Sequence, residues 1–140
     1  MSAAKCRFSA AQHHSMSKDD TYLEDILHSA RLIQEHLRGV SRAEFFGDIL
    51  RQDAVCRRFE FIGEAARHLS PEVLKQFPDI PWRLAIGMRN RIIHDYDNVK
   101  LDVLWESAQR DLPPLVEKLD AYLTAHPPQT PPETPPAENP

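Results

Sequence analysis

Met88-Arg89-Asn90-Arg91-Ile92-Ile93-His94-Asp95-Tyr96 puts two arginines, an amide, a histidine and a tyrosine into one short run. The run continues an apolar pattern that opens at Pro81, with Trp82, Ala85, Ile86, Ile92 and Ile93 at helical spacing. On an ideal wheel with Trp82 at zero, Ile93 and Ile86 fall at about 20° and 40°, Ala85 and Ile92 at about −60° and −80°. Arg89 falls at about −20°, in the middle of that stripe. A guanidinium left unpaired on a buried face is very costly, so Arg89 needs an anionic partner or a crevice. One reading is an internal ion pair, with Glu64 as the structural candidate; the other is a phosphate site, shared with a second subunit.

Working outward, the chain reads as helix after helix. Tyr22, Leu23, Ile26, Leu27, Ala30, Ile33 and Leu37 form one stripe ended by Gly39, with Asp19, Asp20 and Glu24 at its start. Ser41-Arg42-Ala43-Glu44 has the capping-box pattern, and Gly47-Asp48 predicts a break before a long helix to about Leu69. Gly63 inside that helix costs roughly 1 kcal/mol relative to Ala, which a close helix crossing beside Glu64 would explain. Ser70-Pro71-Glu72 starts a short helix, Asp95 to Asn98 reads as a turn, and a last helix spans about Asp102 to Thr124. Pro113-Pro114 inside it predicts a kink or break near Arg110. No stretch alternates long enough to be a strand. The expected fold is all-α, an up-and-down bundle of four to five helices.

Three segments are expected: a flexible arm over residues 1–17, a helical domain over 18–125, and a disordered proline-rich tail over 126–140. The arm carries His13-His14, which lacks further metal ligands, and has no apolar core of a secretory signal. No apolar run approaches the roughly 20 residues that span a bilayer. Cys6 and Cys56 are expected as free thiols in a reducing cytoplasm, with neither a disulfide nor a zinc site. The net charge of −4 argues against coating nucleic acid non-specifically. Between Pro81 and Lys100, however, Arg83, Arg89, Arg91 and Lys100 outnumber Asp95 and Asp97, which favours a focused anion pocket.

The side chains suit phosphodiester cleavage without a metal or other cofactor. His94 carries an imidazole, the side chain most often used to move protons, and can take the proton of a 2′-hydroxyl. Arg89 and Arg91 can hold phosphate oxygens as they gain charge, and Asn90 can orient the phosphate or the imidazole. If the helix continues, His94 lies about 140° from Arg89 and shares a face with Asn90 instead. Either the helix ends near Ile93 and lets His94 turn, or a copy related by a two-fold axis supplies the missing group.

Arg-x4-His-x-Tyr, here Arg89, His94 and Tyr96, resembles the signature of the HEPN superfamily, in its HepT branch. Ile62-Gly63-Glu64-Ala65, Gly87-Met88-Arg89-Asn90-Arg91 after Trp82, and Leu112-Pro113-Pro114-Leu115 look like further blocks of that family. The likeness covers about residues 19–124, in order. It implies a HEPN-like bundle and a homodimeric, metal-independent ribonuclease toxin of a toxin–antitoxin module. Arg89 and His94 would be its catalytic residues. It also implies a minimal nucleotidyltransferase as antitoxin, which adenylylates Tyr96. RNA and that antitoxin are then the expected partners, with neither DNA nor membrane among them. The alternative is a non-catalytic substrate- or nucleotide-binding subunit of a two-component nucleotidyltransferase.

Overall fold

The computed structural model describes residues 17–127; the expectations for the arm, His13-His14, Cys6 and the proline-rich tail fall on residues outside them, save Ser17 of the arm and the tail's first two. Helix α1 spans Lys18–His36, α2 Arg42–Phe46, α3 Ile49–Arg67, α4 Pro71–Gln76 and α5 Trp82–His94. After a 3-10 turn at Tyr96–Asn98 come α6, Leu101–Glu106, a π turn at Ser107–Asp111, and α7, Leu112–Ala125. With α6 and α7 taken as one interrupted helix, the bundle is all-α, and no strand occurs among the described residues. Four long helices (α1, α3, α5 and the interrupted α6–α7) make the expected bundle, and the short α2 and α4 bring the number to six among the described residues.

Those caps are local and legible. Ser41 Oγ accepts from the Glu44 N–H at 3.1 Å, and Asp48 accepts from the Arg51 N–H at 3.1 Å, so α2 stops and α3 starts across Gly47. The Gln52 amide then donates back to the Phe45 and Phe46 carbonyls, satisfying the end of α2. Gly39, at φ 71°, makes the left-handed turn after α1 that a side chain would resist. Pro113 and Pro114 lack the N–H groups that an unbroken α-helix would send back to Gln109 and Arg110. The chain widens into a π turn there, so the expected break near Arg110 takes the form of a bulge.

The long helix α3 is the centre of the bundle, packed against α1 on one side and α5 on another, while α7 closes over α1. Leu23, Ile26, Ile33, Phe45, Val55, Leu104 and Leu119 are wholly or almost wholly buried between these layers. At one end Asp19 accepts from both the N–H (2.9 Å) and hydroxyl (2.6 Å) of Ser70, tying the start of α1 to the start of α4.

Two features fix how α5 lies on α3. At Gly63 an added Cβ would stand 2.3 Å from Arg89 Cβ and 2.6 Å from the Ala85 carbonyl oxygen, so the helices touch there, as a glycine inside a helix predicts. Trp82 and Ile92 are the buried residues of α5. Ile93, placed on the apolar stripe by the ideal wheel, is exposed: the buried face is centred on Ile92, Arg89 and Ala85, and rotates Ile93 outward.

Candidate active site

Arg89 occupies the crossing of α3 and α5. Its Nη2 lies 2.9 Å from Glu64 Oε2, and its Nη1 donates to Asn90 Oδ1 at 2.9 Å. The arginine side chain is 18% exposed and the glutamate 39%, so the pair sits at the lip of the interface. Glu64 also meets Arg67 at 3.3 Å and His68 Nε2 at 3.0 Å. The His68 hydrogen bond, with Arg67 and Arg89 behind it, holds the Glu64 carboxyl below the usual carboxylate range. Arg89 Nε is buried with no hydrogen-bond partner among the described residues. The result is a cation fixed in orientation by an acid and an amide, with one donor left over.

His94 is the last residue of α5. The helix runs through it rather than ending at Ile93; the break comes at Asp95, with φ −151°. The imidazole is exposed and makes no hydrogen bond among the described residues. Within one chain, therefore, the Arg89 guanidinium turns toward Glu64 while His94 faces solvent. Asn90, on the histidine's side of the wheel, spends its carbonyl oxygen on Arg89. Arg91 is exposed, one turn before the helix end.

Tyr96 opens the 3-10 turn, half-exposed, and its hydroxyl donates to Asp53 of α3. That carboxylate, together with partial burial, pushes the phenol up to about 12. Cys56, one turn after Asp53, is a buried free thiol pushed up to about 11 by burial and by the charges of Asp53 and Glu60. Asp53 is the residue that the sequence reasoning missed. The signal was present: Asp53 and Glu64 are eleven apart, about 20° from each other on the wheel. If Glu64 faces Arg89, Asp53 faces whatever follows on α5.

An all-α bundle with an arginine paired at a helix crossing and an exposed histidine at that helix's end can be set beside known families. A sequence model described as "Ribonuclease HepT-like" matches residues 26–122. The chain is 38% identical over 99 residues to a protein of Thermococcus cleftensis named "Probable ribonuclease HepT", covering 71% of this chain and 90% of that one. It is 34% identical over 107 residues to a "Putative RNase" of Methanocaldococcus jannaschii, covering 75% and 98%. A "Putative RNase" of Caldanaerobacter subterraneus is 32% identical over 102 residues, covering 73% and 91%. No solved structure gives a significant match. The chain belongs to the HepT-like ribonuclease family. Among the described residues no helix is long and apolar enough to cross a membrane.

Proposed function

We propose that this chain is a metal-independent endoribonuclease, the toxin of a cytoplasmic toxin–antitoxin pair, acting through Arg89, His94 and Tyr96. The observation that carries the reading is an exposed histidine ending the helix on which Arg89 is anchored, inside the family match. The attacking group comes from RNA itself: His94 removes the proton of a 2′-hydroxyl, whose oxygen attacks the adjacent phosphorus. The 5′-oxygen leaves with a proton, giving a 2′,3′-cyclic phosphate and a 5′-hydroxyl end. Arg89 and Arg91 stabilise the phosphate oxygens as negative charge builds on them.

Because Arg89 and His94 face different surroundings in one chain, the working site joins two copies, one giving the guanidinium and the other the imidazole. In support, Ile49 and Leu50 stand 71% and 81% exposed one turn before Asp53, and Ile93 is exposed beside His94. Apolar side chains left in water around the Asp53–Tyr96 contact suit burial against a second copy.

The partner enzyme is a nucleotidyltransferase that places AMP on Tyr96. The Tyr96 oxygen attacks the α-phosphorus of ATP, pyrophosphate leaves, and the phenolic proton passes to Asp53, which already accepts from that hydroxyl. A bulky anion two residues from His94 then keeps RNA out by sterics and like charge.

Purified protein is expected to cleave RNA in the presence of EDTA, and His94→Ala is expected to lower the rate by about 10²- to 10⁴-fold while the oligomeric state holds. Cleavage that survives His94→Ala and Arg89→Ala, or that stops with chelator, rules this mechanism out, and no cleavage at all leaves the non-catalytic binding subunit. Co-expression with the nucleotidyltransferase should add whole AMP units to the intact mass, and Tyr96→Phe should abolish the addition.

A further inference from the structure

Between α5 and α6 runs a groove of about 330 Å³, of whose lining the mechanism above uses only Arg91. Its cations are Arg83, Arg91 and Lys100, and its apolar wall includes Leu84 and Val103. No carboxylate lines it, and none of the three cations is ion-paired among the described residues. In a protein of net charge −4, this is a local surplus of positive charge with nothing of its own to neutralise it.

Gly87 forms part of the groove wall, and packing does not account for it. A Cβ built there meets nothing within 4 Å, whereas at Gly63 it would strike the neighbouring helix. A glycine inside a helix costs roughly 1 kcal/mol relative to Ala. Here its effect is to keep the helix surface bare between two arginines. Arg83 and Arg91 are about 12 Å apart along the axis, and on an ideal helix Gly87 and His94 lie about 40° and 20° from Arg83. A strand laid along this face ends at the histidine.

We propose that the groove is a subsite for single-stranded RNA, in which Arg83 and Lys100 hold backbone phosphates on one side of the cleaved linkage, continuing the path that Arg91 begins at that linkage. The flat apolar wall takes ribose and base faces without reading their edges, so the subsite contributes affinity and direction rather than sequence choice. This rests on the ribonuclease reading, and the test separates the two.

Single-stranded RNA oligonucleotides are titrated by fluorescence anisotropy into the His94→Ala protein, which should leave them uncut. Arg83→Ala together with Lys100→Ala is expected to weaken binding about tenfold, and to flatten the plot of log affinity against log salt by about 0.7 per residue. Gly87→Leu, which fills the groove without changing charge, is expected to weaken binding as well. Arg31→Ala, on α1 and paired with Asp120, removes one positive charge elsewhere and should leave affinity unchanged. Unchanged affinity in the groove variants, equal loss in Arg31→Ala, or no RNA binding by the parent at low salt would overturn the subsite. A changed oligomeric state in the groove variants by light scattering would assign the groove to a second copy and overturn it too. Failure of the unsubstituted protein to cleave RNA, with groove-dependent binding intact, would remove the catalytic reading alone.

Discussion

Gly63 and Gly87 are both glycines inside helices, and they do opposite things. At Gly63 the missing side chain lets α3 and α5 touch, bringing Glu64 to Arg89. At Gly87 nothing packs, and the missing side chain leaves a bare strip between Arg83 and Arg91. The first region is built inward, with a cation held by an acid and an amide. The second is built outward, with cations that have no ion-pair partner among the described residues. The same residue type therefore marks a structural joint in one place and an open surface in the other, and only its neighbours tell which.

The sharpest way to break this contrast is to give each glycine a methyl group. Gly63→Ala forces a carbon to within 2.3 Å of Arg89 Cβ and 2.6 Å of a backbone oxygen, so the helices must part. The expected loss is about 3 kcal/mol in urea unfolding, with Arg89 displaced from Glu64. Gly87→Ala should instead stabilise the protein by about 1 kcal/mol, because the helix gains propensity and nothing is struck. Equal effects at the two sites would mean that the distinction between joint and surface is wrong.

Next in size is the pH dependence that Glu64 on α3 and the Tyr96 phenol give to stability. Glu64 has a lowered folded value, so its contribution is complete above the ordinary 4.5 and is lost as pH falls through the lowered value. Glu64→Gln should flatten that acid limb in unfolding curves measured from pH 6 downward, a range chosen about the ordinary glutamate value. Tyr96 behaves with the opposite sign. Its value is raised to about 12, so the contribution is present below 10 and lost as pH rises through 12.

The smallest effect should come from cutting the tyrosine tether. Asp53→Asn removes the charge that holds the phenolic proton, and ultraviolet titration should find Tyr96 shifted from about 12 back toward 10. Both partners are exposed, so stability should change by no more than about 0.5 kcal/mol. AMP transfer onto Tyr96 should slow in the same variant, since its proton acceptor is gone. A faster transfer would mean that an easily ionised phenol matters more than the acceptor.

Helix positions, caps and the proline break were legible because they depend on neighbours three and four residues away, and a sequence displays those directly. Ser41, Asp48 and Ser70 act within their own turns, and the close approach at Gly63 with Glu64 beside Arg89 follows from one periodic stripe meeting another. Ile93 shows the limit of that reasoning. An ideal wheel places it with the core, but the tilt of α5 on α3 decides which flank of the stripe is covered. Asp53 shows the same limit from the other side, since 43 residues separate it from Tyr96 and no local pattern joins them.

The sequence by itself determined an all-helical domain, where most helices begin and stop, and a run, Arg-x4-His-x-Tyr, that resembles the HEPN signature. Tertiary structure alone decided that His94 faces solvent, away from the Arg89–Glu64 pair, that Tyr96 is tied to Asp53, and that Arg83, Arg91 and Lys100 share one groove. The physical reason is range: periodicity and capping act over a few residues of chain, whereas a side chain's partner is chosen by whichever helix the packing brings alongside it.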